Sequence, residues 1–363
     1  MSSAIRDLPK HRCELHVHLD GSLRPQTIYD VARRRGLKLP AEEFEEFKDH
    51  VTCCYGTNKS LLEFLNVFYT FHPLIRGDTA AIEQFAYEFC EDEAKQKVAY
   101  CELRYSPHYL AELKPRDGLP YVSAETVVRC VNNGLRRGCH EFGVKIRTIL
   151  CCMTDHPEWS MEIVALADKF RNEGVVGIDV AGEEILDPPA KEIIDAFTRA
   201  KELGISRTVH AGESGGAQNV LTAVEVLHAE RIGHGYHVLE DQSIYKKMKS
   251  LDIHFEVCPV TSLITRSQHS LEDHAIRQFD VDRVNYSLNT DDPGITQKSL
   301  NEEHLLAVNQ LDLDSCSLTR CAFNAATSSF LPKDEKQELI DYLKTMHGIP
   351  TETSVTSLSN LFP

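Results

Sequence analysis

The sequence predicts an α/β fold in which eight parallel strands alternate with helices as a (β/α)8 or TIM barrel, and three observations carry that prediction. Short apolar runs recur along the chain, two of them opening just after a glycine that stops a helix. No glycine fingerprint follows the first strand, which sets aside an open doubly wound sheet with a dinucleotide site. No Pro/Ser/Gly-rich linker divides the 363 residues, so one barrel domain over 1–350 is expected, followed by a polar tail at 351–363.

The opening strand is Cys13-Glu14-Leu15-His16-Val17-His18-Leu19-Asp20-Gly21. Strand alternation puts His16 and His18 on one face and Leu15, Val17 and Leu19 on the other, so two imidazoles project side by side. Additional helices are expected after this strand. One covers 24–39, with Pro25 near its start and Pro40 at its stop, and the acidic run through Glu46 reads as a solvated face. Leu61, Phe64, Leu65 and Phe68 then mark one apolar helix face. Core packing is the default use of such a face, and a lid over a pocket is the alternative for a segment lying between two barrel strands.

From there the cycle repeats. Helix 78–97 leads into strand 98–105, ended by Ser106-Pro107; helix 124–141 stops at Gly143 before strand 144–150; helix 161–172 stops at Gly174 before strand 175–180. Helices 190–203, 219–229, 242–251 and 271–279 precede strands 207–210, 231–234, 253–257 and 284–289. Helical patterns at 299–308, 317–327 and 333–346 are the C-terminal additions.

Charge and cysteine usage exclude several classes of function. The net charge of -16, from 39 basic and 55 acidic residues, would repel both a phosphate backbone and an anionic membrane surface. No nucleic-acid partner is expected. The start of the chain has no signal-like apolar run and no later stretch suits a membrane span, so a cytoplasmic protein without membrane insertion is expected. The 12 cysteines never form Cys-x-x-Cys, which argues against a zinc ribbon or a redox pair.

Barrel active sites form at the carboxyl ends of the strands, and these ends carry a polar constellation. They supply His16, His18 and Asp20 from strand one, Asp179 from strand four, His210 and Glu213 from strand five, His234 from strand six, and Asp291-Asp292 from strand eight. A single buried histidine is most often a hydrogen-bonded core residue, and Asp-Asp-Pro alone reads as a turn. Four histidines and several carboxylates at one rim read as a metal centre. Three imidazoles and a carboxylate suit Zn²⁺, so His16, His18, His210 and Asp291 are the expected ligands. Strands three and four carry no Lys at their carboxyl ends to bridge a second ion, so one Zn²⁺ per chain is expected. His234 and Asp292 are left for proton handling, and Glu213 is placed to act as a general acid.

The segments His16-Val17-His18-Leu19-Asp20-Gly21-Ser22, Arg104-Tyr105-Ser106-Pro107, Asp179-Val180-Ala181-Gly182, His210-Ala211-Gly212-Glu213, Arg231-Ile232-Gly233-His234-Gly235, His254-Phe255-Glu256-Val257-Cys258-Pro259 and Ser287-Leu288-Asn289-Thr290-Asp291-Asp292-Pro293 resemble, in order, those of the animal adenosine deaminases. These are zinc (β/α)8 enzymes of the amidohydrolase superfamily. The resemblance implies hydrolysis of adenosine and 2′-deoxyadenosine to inosine and 2′-deoxyinosine with release of ammonia, in purine nucleoside catabolism and salvage. It implies that Glu213 protonates N1, that His234 orients and deprotonates the water that attacks C6, and that Asp292 contacts N7. It further assigns the backbone of Gly182 to N3, Asp20 with His18 to the ribose 5′-hydroxyl, and Leu61, Phe64, Leu65 and Phe68 to a hydrophobic lid. A monomer is expected.

Departures from the vertebrate pattern are Val260-Thr261-Ser262 in place of Trp-Ser-Ser, shorter loops at 111–122 and 183–190, and the flexible Ser214-Gly215-Gly216 after Glu213. They bear on pocket shape and leave every metal and acid–base position in place. Three rival readings have their own marks. A nucleotide deaminase would want a basic or neutral partner where Asp20 stands. A cytidine-type deaminase would need Pro-Cys-x-x-Cys beside the chance His254-Phe255-Glu256, and a catalytically dead barrel would lack ligands.

Overall fold

The computed structural model describes residues 8–9, 11–57, 59–112 and 121–350. The polar tail and most of the loop read as shortened at 111–122 lie outside the described residues.

Eight strands form one sheet in sequential order: β1 (Arg12–His18), β2 (Val98–Tyr105), β3 (Lys145–Met153), β4 (Val175–Ala181), β5 (Ser206–Ala211), β6 (Arg231–His234), β7 (His254–Val257) and β8 (Tyr286–Leu288). Every neighbouring pair is parallel. The chain leaving β8 returns to β1 through a Val17–Asp291 bridge, with His18 N–H donating to Asp291 O at 2.8 Å and Asp291 N–H to His16 O at 3.0 Å. That closure sets a metal-ligand candidate from the last strand directly beside two from the first.

The expected helices after β1 are Pro25–Arg34, Leu61–Ile75 and Thr79–Lys95, and a further one at Phe44–Val51 replaces the expected solvated acidic run. Phe47 and Val51, one turn apart, are fully buried there while Glu45 and Glu46 sit in the first turn, where carboxylates favour a helix. The C-terminal helices Leu300–Gln310, Ser315–Ser328 and Lys333–His347 match the expected additions. Among the described residues no helix is long and apolar enough to cross a membrane, and all twelve cysteines are free thiols.

Simple alternation fails at one place in β1. The register with β2 shifts between Glu14 and Val17, and one side-chain oxygen, Asn289 Oδ1, accepts from the N–H of both Leu15 and His16, at 2.8 and 3.2 Å. Leu15 therefore joins Cys13 and Tyr100 against Phe323, Ala326 and Leu339 of the C-terminal helices, whereas Val17 packs into the main outer core. Leu15 is thus not on the Val17 face, where alternation places it. The bulge allows both Leu15 and His16 to be buried on the barrel side.

Candidate metal centre and active site

His16 and His18 come from β1, His210 from β5, His234 from the end of β6, and Asp291 from the turn after β8. His234 and Asp291 both have positive φ, 65° and 63°, a strained conformation for residues with a Cβ. Strain of that kind persists where the surroundings hold the residue in place, here at both ends of one cluster.

One ligand atom from each of His16, His18, His210 and Asp291 lies within 4.8 Å of the others. Asp291 Oδ1 is 3.1 Å from His16 Nε2 and 3.4 Å from His18 Nε2, and His18 Nε2 is 3.2 Å from His210 Nε2. Two imidazole nitrogens facing each other at that distance repel through their lone pairs unless a proton or a cation lies between them. His16 Nε2 is fully buried and makes no hydrogen bond, which is the signature of an atom awaiting a ligand. Three nitrogens and one carboxylate oxygen fit Zn²⁺.

The outer nitrogens of these rings are held. His16 Nδ1 meets Glu256 Oε2 at 2.8 Å, while His210 Nδ1 meets Val180 O at 2.9 Å and Asp179 at 3.0 Å. Arg104, itself fully buried, donates to Asp179 at 2.9 Å and to Glu256 at 2.6 Å, so one guanidinium orients both carboxylates. A second donor set, His16, His234, Cys258 and Asp291, is equally compact. Cys258 does not line the cleft, however, and burial pushes its thiol well above the usual range. A catalytic metal needs a position open to substrate, which favours the first set.

Burial dominates the proton affinities. It lowers His18 to about 3 and His234 well below its ordinary value, so both are neutral. Against the same burial, Asp179 raises His210. Asp291 stays ionised, because the pull of its histidine neighbours, His16 first, outweighs burial. Burial, then the charge of Asp291, raises Glu213 to about 8 and Asp292 well above the carboxylate range. Both are therefore protonated at neutral pH. Glu213 Oε2 lies 3.6 Å from His234 Nε2, and Asp292 Oδ1 is buried without a partner.

These groups face one cleft that opens to solvent. Its walls include His18, Asp20, Gly182, His210, Glu213, His234, Asp291 and Asp292, with Leu61, Phe64, Leu65 and Phe68 along one side; His16 lies behind them. Every expected site residue is thus at or directly beneath one cleft. At Gly182, φ is 105° and a Cβ would fall 2.8 Å from Thr154 Oγ1, so the backbone there is bare by necessity.

The cleft also contains residues that the sequence reading missed. His72 Nε2 is 3.0 Å from Asp20 Oδ2, and the His72 ring stacks on Tyr109 at 5.3 Å. The hydroxyls of Tyr109 and Tyr69 both donate to Asp155 Oδ2. His72 was findable, since it lies four residues beyond Phe68 on the same helix face. Tyr109 and Asp155 follow the ends of β2 and β3, where barrel function concentrates.

A family model described as adenosine deaminase matches residues 9–346. The chain is 45% identical over 356 residues to the adenosine deaminase of Danio rerio, spanning 95% of this chain and 98% of that protein. It is 44% identical over 355 residues to the adenosine deaminase of Bos taurus, spanning 95% and 96%. Its fold matches the crystal structure of the Arabidopsis N6-mAMP deaminase with a TM-score of 0.80 at 28% identity, covering 95% of this chain and 100% of that one. Near-full-length identity and a barrel whose strand ends converge on one cleft lead to one conclusion: the chain belongs to the adenosine deaminase family.

Proposed function

We propose that the chain catalyses the hydrolytic deamination of adenosine and 2′-deoxyadenosine to inosine and 2′-deoxyinosine with release of ammonia, as a cytoplasmic monomer acting in purine nucleoside catabolism and salvage. The observation that carries the reading is the pairing of a carboxyl held protonated, Glu213, with a neutral imidazole, His234, 3.6 Å apart beside the histidine–aspartate cluster. His16, His18, His210 and Asp291 would hold one Zn²⁺, which supplies Lewis acidity sufficient to bring the pKa of water to about 7.

Glu213 delivers its proton to N1 of the purine, which makes C6 electrophilic, while His234 takes a proton from the water that adds to C6. The C6–N bond then breaks, the amine leaves with that proton as ammonia, and the hydroxyl proton left on C6 passes to the Glu213 carboxylate as the carbonyl forms, which restores the acid. Asp292, kept neutral, has an O–H to donate to N7, an atom that can only accept. The N–H of Gly182 serves N3, Asp20 with His18 serves the ribose 5′-hydroxyl, and the Leu61–Phe68 face excludes water above the base.

The test is direct. Purified protein should consume adenosine, followed by its absorbance, lose that activity on chelation and regain it with Zn²⁺. Zinc-replete protein that leaves adenosine and 2′-deoxyadenosine untouched would refute the reading.

A further inference from the structure

The loop after β4 and the loop after β5 are joined by one side chain. Glu184 Oε1 accepts from Gly212 N–H at 2.7 Å, and Oε2 accepts from the N–H groups of Glu213, Ser214 and Gly215 at 3.1, 2.9 and 2.9 Å. Consecutive N–H groups converging on an anion form a nest, and here the anion is the protein's own carboxylate. The fit is close, since a Cβ at Gly215 would fall 2.6 Å from Glu184 Cγ. The stretch Ser214-Gly215-Gly216, flexible by composition, is pinned at its start. The loop carrying Glu184 is itself braced from the helix Ala217–Glu225, where Asn219 Nδ2 donates to Ile185 O at 2.6 Å and Thr222 Oγ1 to Asp187 Oδ1 at 3.0 Å.

Each end of this clamp bears a purine contact in the reading above. Gly182 precedes Glu184 by two residues and serves N3, while Glu213 lies within the nest and serves N1. N1 and N3 flank C2 of one rigid six-membered ring, so the two protein groups must keep a fixed separation if both are to engage at once. We infer that Glu184 is a positioning residue that sets the register of the purine by clamping the backbones of Gly182 and Glu213 to one another. The inference rests on the adenosine reading and adds to it the group that holds the two ring-nitrogen contacts in step. A glutamine at 184 offers one acceptor oxygen and turns an N–H₂ toward the remaining donors, so one or three of the four bonds are lost.

The experiment uses zinc-loaded wild type, Glu184→Gln and, as a perturbation of the clamp from its other side, Gly215→Ala. Zinc content, kcat and KM for adenosine, and the inhibition constants of 1-deazaadenosine and 3-deazaadenosine are measured for each. Both variants should keep their zinc and lose at least 10-fold in kcat, with a smaller change in KM, because misplacing a reacting group weakens the transition state more than the ground state. The preference for the inhibitor that retains N3 should shrink at least fivefold toward unity. A purely structural role would lower Tm and leave both the inhibitor ratio and kcat per zinc unchanged, and that result would overturn the inference. Wild type that deaminates adenosine while both variants keep the wild-type ratio overturns this inference alone. Wild type inert toward adenosine overturns it together with the proposed function.

Discussion

Glu213 shows how far a single residue's chemistry is set by its surroundings. Its position after a candidate ligand histidine and a glycine is legible in the sequence, but its protonation is not, because burial and the Asp291 charge exist only in the folded chain. Glu213→Gln keeps shape and hydrogen-bonding reach without an acidic proton, so zinc content should be unchanged while kcat/KM falls by roughly 10²–10⁴. Near-normal turnover would transfer the acid role to another group. The same residue makes a prediction about pH and stability. An acid with a folded pKa of about 8 against 4.5 unfolded gives stability that is fully present below the unfolded value and is lost as pH rises through the folded one. In metal-free protein, wild type should therefore lose ground to Glu213→Gln between pH 5 and pH 8, by a few kcal/mol at roughly 1.4 per pH unit. Parallel Tm curves for the two proteins over that range would show that Glu213 is not held protonated. Glu256 and Glu184 were missed for a common physical reason: their partners His16 and Gly212 lie 240 and 28 residues away, and no local spacing encodes such contacts.

At the scale of elements, strands and helices were readable where periodicity was clean, and less so where polar residues serve an end. Strands at 98–105 and 231–234 fall where their apolar runs predict, and the bulge in β1 was invisible because the side chain that satisfies its N–H groups, Asn289, lies 274 and 273 residues away from them in the sequence. The helix Leu61–Ile75 begins with a capping box: Glu63 N–H donates to Ser60 Oγ at 3.3 Å, and Ser60 N–H to Glu63 Oε2 at 2.8 Å. This helix carries both the apolar wall of the cleft and His72, so its start bears on the proposed lid. Ser60→Ala removes one cap acceptor and should cost about 1 kcal/mol of stability. Because the residue is far from the acid–base groups, KM for adenosine should rise while kcat and zinc content hold. A fall in kcat at constant KM would mean that the helix is not acting as a lid.

Over the whole molecule, the barrel interior is a charged lattice beneath the site. Arg231 bridges Glu102 at 2.6 Å and Glu256 at 2.7 Å, and Arg104 bridges Glu256 to Asp179, all of them buried. Arg104→Met would leave two buried carboxylates short of a partner and should cost roughly 3–5 kcal/mol, with weaker zinc retention because both carboxylates orient candidate ligand histidines. Full stability and normal zinc affinity in that variant would detach the lattice from the metal site. The fold is shared with the Arabidopsis N6-mAMP deaminase and does not by itself choose between nucleoside and nucleotide. In the proposed function the choice falls to Asp20, whose folded-state pKa is lowered: burial opposes the shift, and the hydrogen bond from His72 wins. Two like unit charges about 4 Å apart repel by about 4 kcal/mol at an effective dielectric near 20, and His72 at 3.0 Å disperses part of that charge. Adenosine should therefore exceed AMP in kcat/KM by roughly two to three powers of ten. Asp20→Asn should slow adenosine turnover and narrow that gap, because the amide still meets the 5′-hydroxyl but no longer opposes a phosphate. A wild-type preference for AMP would assign the ribose end of the cleft to nucleotides and leave the acid–base chemistry at Glu213 and His234 unchanged.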